Sequence, residues 1–226
     1  MEQYGNVLTC VPLKAKENEG RVTRLVMYED GTKIDFQIAT IDVLNLLINK
    51  PVLPDDYDNG YKVLLDKDHL TKKMQAPTHT AFITKKPSRE DYAELMNDFW
   101  WDTTYVAKNL WRDELYYAKF SLDSDLRFNS LQKLIEWSIG LENNWQVRTN
   151  KYGRWFKQYL ETKTWEELES TFAGASIEEN WDALFKMADL FKRLSLKVGA
   201  ELGYPYPTEL ENKIRAYLLK VKNTEK

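Results

Sequence analysis

An acid stands in the middle of a strand pattern at Lys33-Ile34-Asp35-Phe36-Gln37-Ile38, just after the turn signal Glu29-Asp30-Gly31-Thr32. Alternation places Ile34, Phe36 and Ile38 on one face and Lys33, Asp35 and Gln37 on the other. Propensity disfavours an acid there, so its presence needs a reason. One is metal-assisted phosphoryl transfer, in which a strand carboxylate holds magnesium or takes the proton of an attacking hydroxyl. The other is a solvated strand face, since antiparallel sheets often wet one side. A second set, Glu94, Asp98 and Asp102, recurs every four residues, with Trp101, Tyr105 and Lys108 close to the same stripe. Like charges at that spacing repel by a few tenths of a kcal/mol (~0.2–0.5) per pair, and a cation would relieve them. Carboxylates flanked by aromatic rings suit a polyamine or aminosugar; a solvated charged face is the plainer alternative.

A third set is basic. Asn150-Lys151-Tyr152-Gly153-Arg154-Trp155-Phe156-Lys157 sits where a loop opens a helix, with Arg148 just before it. Amides and cations at such a place can hold phosphate together, and a basic surface loop gives the same pattern. Asp66-Lys67-Asp68 and Asp123-Ser124-Asp125 have the spacing of metal-binding pairs. Acids one residue apart are common in loops, so the first is expected to end a strand and cap a helix. The second is expected to mark a turn between helices. No glycine-rich phosphate loop, Ser-His-Asp set or zinc spacing occurs.

The elements that must position these groups fall into two styles. The first third reads as strands: Asn6 to Val11, Arg21 to Tyr28, Lys33 to Ala39 across an Asp30-Gly31 hairpin, and Tyr61 to Leu65. A short helix over Val43 to Ile48 ends before Pro51, and the stretch from Pro51 to Gly60 reads as a surface loop. After Pro87 the apolar spacing turns helical. Ser88 is a good N-cap with Asp91 three residues on, and the periodicity then runs to about Leu122. Further helices are expected over Asn129–Leu141, Trp155–Leu160, Trp165–Thr171, Ile177–Leu202 and Thr208–Lys222. The fold class is therefore α+β: a partial mixed sheet over 1–86, then an all-helical bundle over 87–226. So few strands are marginal alone.

Composition narrows the function. The 226 residues carry 32 basic and 35 acidic side chains, a net charge of −3, which gives no electrostatic footprint for nucleic acid. Cys10 is the only cysteine and His69 and His79 the only histidines, which excludes an intrachain disulfide and cysteine-based zinc and argues against a histidine-rich metal site. No apolar run reaches membrane-spanning length and the N-terminus lacks a signal pattern, so a cytoplasmic protein is expected. Eight tryptophans and thirteen tyrosines serve packing first, with some rings free to stack on a ligand.

Several segments, in order, resemble the aminoglycoside 6-adenylyltransferases, the streptomycin-modifying nucleotidyltransferases of antibiotic resistance. They are Met27-Tyr28-Glu29-Asp30-Gly31-Thr32-Lys33-Ile34-Asp35, Lys62 to Asp68, Lys86-Pro87-Ser88-Arg89-Glu90, Asn97-Asp98-Phe99-Trp100 through Leu115, Phe156 to Leu160 and Trp165 to Leu168. The resemblance implies a nucleotidyltransferase domain that holds MgATP and a helical domain that closes over an aminoglycoside. It implies transfer of AMP to a drug hydroxyl with release of pyrophosphate. Asp35 matches the third of three metal-gathering carboxylates, the one placed to act as base. By the same resemblance Lys108, Lys151 and Arg154 would contact phosphates, and Asp98, Asp102 and Tyr105 would hold the drug.

One departure counts. The family's Gly-Ser turn and Asp-x-Asp pair should precede this strand. Yet no Gly-Ser occurs, and residues 1–20 offer only the acids Glu2, Glu17 and Glu19. The expectation is a headless fragment or shortened relative without turnover, or else a helical module that binds a drug or partner without chemistry.

Overall fold

The computed structural model describes residues 1–13 and 20–225. Two compact units result, Met1–Ala81 and Phe82–Lys226. The first carries strands β1 (Val7–Leu13), β2 (Arg21–Tyr28) and β3 (Lys33–Ala39), with helices α1 (Ile41–Ile48) and α2 (Asp55–Asp58). The strands form a meander in the order β1-β2-β3, antiparallel at both pairings. Between β2 and β3, Gly31 takes φ 84, which lets the chain reverse without a Cβ penalty. The Asp30 carboxylate accepts the Thr32 amide at 2.8 Å, and the Gly31 amide bonds to the Tyr28 carbonyl at 3.0 Å. The Asp-Gly signal therefore does in space what it does in sequence.

Two expectations for this unit fail. Tyr61–Leu65 forms no strand among the described residues; Leu64 is 86% exposed and pairs with no neighbour in the sheet. The sheet thus stays antiparallel rather than mixed. The stretch from Pro51 to Gly60 is more than a loop, because Pro54 leads into the single turn of α2 and buries Asp58. That carboxylate accepts the amides of Thr78 (2.6 Å), Thr80 (3.1 Å) and Ala81 (3.0 Å) and the Thr78 hydroxyl (2.8 Å). The Thr78 amide leads the bonds that hold Asp58 below the ordinary carboxylate range. Asp66 likewise caps, accepting from the amides of Leu70 and Thr71 at a 3-10 turn over Leu70–Lys73.

The second unit holds α3 (Arg89–Trp111), α4 (Leu115–Phe120), a π-helical stretch (Ser121–Leu131), α5 (Gln132–Glu142), α6 (Phe156–Tyr159), α7 (Thr162–Glu169), α8 (Ile177–Leu202) and α9 (Thr208–Lys222). The helix expected from Ser88 to about Leu122 breaks at Trp111. Asp113 takes φ 63, a left-handed turn that a short polar side chain tolerates, and the chain restarts at Leu115. The expected turn at Asp123-Ser124-Asp125 is absent, because α4, the π stretch and α5 follow one another without a gap. Asp123 instead lies along the rod between Lys119 (3.0 Å) and Arg127 (3.1 Å), each four residues away. One core joins the helices: Phe99 stacks on Phe191 with ring centroids 3.6 Å apart, and Trp100, Leu126, Leu134 and Leu184 are fully buried around them. No helix among the described residues is long and apolar enough to cross a membrane.

Candidate functional site

Helix α3 is pinned at its start by a capping box. The Ser88 hydroxyl oxygen accepts from the Asp91 amide (3.0 Å), and the Asp91 carboxylate accepts from the Ser88 amide (2.9 Å). Its apolar positions, from Tyr92 through Phe99 and Val106 to Leu110, are buried, and that fixes what the opposite side must present. The stripe of Glu94, Asp98, Trp101, Asp102, Tyr105 and Lys108 therefore lies on the outer side, with Trp101 63% exposed. Trp101 meets Tyr105 edge-on with ring centroids 6.2 Å apart, and the Lys108 ammonium lies 4.4 Å from the Tyr105 ring centre. Lys108 thus joins the acidic stripe itself, as a cation already resting on the Tyr105 ring.

Asp102 is the most perturbed acid of the stripe. Partial burial, then the charge of Asp125, then that of Asp98 push its carboxyl from the ordinary 3.8 up to about 6. Sequence spacing could pair Asp98 with Asp102, but it gave no hint of Asp125. That residue arrives from the π-helical stretch, which packs along α3. The only possible signal was the acidic Asp123-Ser124-Asp125 run, whose place in space depends on a helical register that sequence does not announce.

The basic loop is organised differently from the expectation. Asn150 accepts the Lys151 amide at 2.6 Å, Lys151–Gly153 make a 3-10 turn, and Tyr152 takes φ 55. Lys151 and Arg154 are both exposed, with the Lys151 ammonium 5.1 Å from the Tyr152 ring centre. The helix that follows, α6, has four residues, too short to gather a useful positive dipole at its N-terminus. Any phosphate contact there would rest on the two side chains.

Asp35 lies in the first unit, opposite Leu25 of β2, with Lys33 on its own strand 3.6 Å away. Its side chain is 53% exposed. No group of three His, Cys, Asp or Glu stands close enough to hold an ion among the described residues. Glu17 and Glu19 lie outside the described residues, and Glu2 opens a 3-10 turn at the N-terminus. A lone carboxylate beside an ammonium does not fit magnesium, which takes several oxygen donors.

The family model for streptomycin adenylyltransferase matches residues 1–221. The chain belongs to the streptomycin adenylyltransferase family. An aminoglycoside 6-adenylyltransferase of Bacillus subtilis is 32% identical over 184 residues, 81% of this chain and 62% of that relative. One from Campylobacter jejuni is 29% identical over 88% of this chain and 66% of its own length. One from Staphylococcus aureus is 29% identical over 84% of this chain and 66% of its own length. The chain thus spans just under two thirds of these curated adenylyltransferases. A crystal structure of an aminoglycoside 6-adenyltransferase from Bacillus subtilis superposes with a TM-score of 0.59 at 26% identity, covering 99% of this chain and 81% of that one. Within this adenylyltransferase family the α+β layout, strands first and helices after, is shared with that solved relative.

Proposed function

We propose that the chain recognises a streptomycin-like aminoglycoside for AMP transfer from MgATP, and that these 226 residues alone bind the drug without turning it over. What carries the reading is the acidic stripe. Asp98 and Asp102 on α3 and Asp125 on the π stretch gather negative charge beside Trp101 and Tyr105; partial burial first, and then the charges of Asp125 and Asp98, push the Asp102 carboxyl up to about 6. An aminoglycoside brings several cations on a rigid frame; guanidinium and ammonium groups pair with such carboxylates and stack on the rings. In the full reaction the drug hydroxyl oxygen bonds to the α-phosphorus, the bond to the β-phosphate breaks, and pyrophosphate leaves. Asp35 is the base that would take the hydroxyl proton, and Lys108, Lys151 and Arg154 would neutralise phosphate charge. Among the described residues no group of three acids gathers at Asp35, whose carboxylate pairs with Lys33, and that is why turnover is not expected of these residues by themselves.

Two measurements test this. Calorimetry with streptomycin and no nucleotide should give saturable heat, abolished in the double variant Asp98→Asn with Asp102→Asn. Absence of heat in the unaltered chain refutes drug recognition. With MgATP and streptomycin together no pyrophosphate should form; its release refutes the claim that the described carboxylates are insufficient.

A further inference from the structure

The stretch Ser121–Leu131 runs in π register for eleven residues, and the Gln132 amide bonds to the Arg127 carbonyl five residues back. Such stretches are rare, gather at functional sites, and need something to hold them. Here that something is Arg127. Its side chain is 4% exposed and grips in three directions. The Nε–H donates to the Asp123 carboxylate at 3.1 Å, one terminal nitrogen donates to the Thr171 carbonyl at 2.7 Å, and the other donates to the Thr171 hydroxyl. Phe172 covers the guanidinium, ring centre to Cζ 3.8 Å, while Lys119 ties Asp123 (3.0 Å) and the Ala173 carbonyl (3.1 Å). The stretch is thus bolted to the chain that follows α7. Asp125 stands between the two clamped residues Asp123 and Arg127, next to α3.

We propose that Arg127 is a positioning residue: by fastening the π stretch to Thr171 it keeps Asp125 against the Asp98–Asp102 stripe, where a cationic ligand is gripped. Arg127 touches no ligand; it acts through Asp125. A planar fork with several donors is required, because one ammonium cannot reach a carboxylate, a hydroxyl and a carbonyl in these directions at once. The proposal rests on the drug-binding reading for the ligand, but not for the geometry.

Arg127→Lys removes the fork, and Thr171→Val removes only its hydroxyl arm and leaves the carbonyl bond; neither changes net charge, so any change at Asp102 reports position rather than lost charge. The test follows the Asp102 carboxyl by NMR titration and streptomycin affinity by calorimetry, with circular dichroism melts to confirm folding. In the unaltered chain the Asp102 midpoint should lie near 6, raised by partial burial and then by Asp125 and Asp98. In Arg127→Lys that midpoint should fall by about half a pH unit as Asp125 withdraws, and in Thr171→Val by a smaller amount. Streptomycin should bind roughly fivefold more weakly, the size of one partly exposed ion pair. If a folded variant keeps both the midpoint and the affinity of the unaltered chain, the positioning role is overturned. If the midpoint moves but the unaltered chain binds no streptomycin, the positioning stands and the drug reading falls. Should one variant not fold, the other decides alone.

Discussion

The strand-rich unit and the helical unit hold themselves together by different means. Among the described residues of the first, the buried apolar side chains are Val26, Tyr28, Leu47 and Leu53, while Leu8, Ile38 and Leu64 are more than half exposed. Its order comes from ladders of backbone hydrogen bonds and from carboxylates such as Asp58 and Asp66 that gather amides. The helical unit instead packs a continuous core from Tyr92 to Leu218. Apolar packing is non-directional and adds up over area, whereas each polar staple depends on one ionised group. The lesson concerns where charge is free to act. In the sheet unit acids are spent on folding the loop, while on α3 the core does that work and leaves Asp98 and Asp102 available.

The sharpest way to break the contrast is at the centre of the helical core. Phe99→Ala, which removes a fully buried ring stacked on Phe191, should cost about 3–5 kcal/mol in chemical denaturation followed by tryptophan fluorescence. A loss below 1 kcal/mol (~1) would mean that the core is not what holds α3.

In the sheet unit the comparable target is polar. Asp58→Ala should speed amide hydrogen exchange at Thr78, Thr80 and Ala81 while the amides of α3 and α8 stay protected. Because the folded protein holds Asp58 below the ordinary range, its contribution is present at neutral pH. It is lost as the pH falls through the depressed value. The same three amides should therefore open first in acid, and uniform opening across both units would contradict the division of labour.

Two smaller effects sharpen the picture on α3. Asp102→Asn should stabilise the free protein by about 1 kcal/mol at pH 8, after allowance for solvent screening. The sign follows from a folded value raised from 3.8 to about 6. Below 3.8 the acid is neutral in both states; its ionisation penalises the fold increasingly as the pH rises from 3.8 to about 6, and the penalty is constant beyond that. Melting temperatures of the two proteins should thus converge at about pH 3.5, separate between 3.8 and about 6, and differ by a constant amount above that. Ser88→Ala removes one half of the capping box and should cost about 1 kcal/mol, read as fraying of Arg89–Asp91 amides.

The smallest effect is expected at Asp35. Its exposed pairing with Lys33 is worth at most about 0.5 kcal/mol, so Asp35→Asn should leave the melting curve unchanged. A large loss of stability there would recast it as a structural acid of the sheet unit.

Much of this was legible from the residues. The Asp30-Gly31 pair marked a hairpin, the Ser88/Asp91 spacing marked a helix start, and the apolar periodicity after Asn180 marked α8, because each is a local signal with a local cause. Tyr61–Leu65 was misread since β propensity cannot say whether a neighbouring strand is available. Asp125 was missed for a similar reason. A π register depends on a buried arginine reaching Thr171, forty-four residues on, and nothing near Asp125 encodes that distance. The stripe of Asp98, Asp102 and Tyr105 was readable because α-helical spacing alone places them together. Its balance with a third acid was not.

Asp102 also couples any cation it meets to hydrogen ions. Near pH 6 the free carboxyl is about half protonated. A ligand's positive charge favours the ionised form, so docking at that pH expels part of a proton into the medium. The apparent heat of association would then change with the ionisation enthalpy of the buffer, and by pH 8 the buffers would give one value.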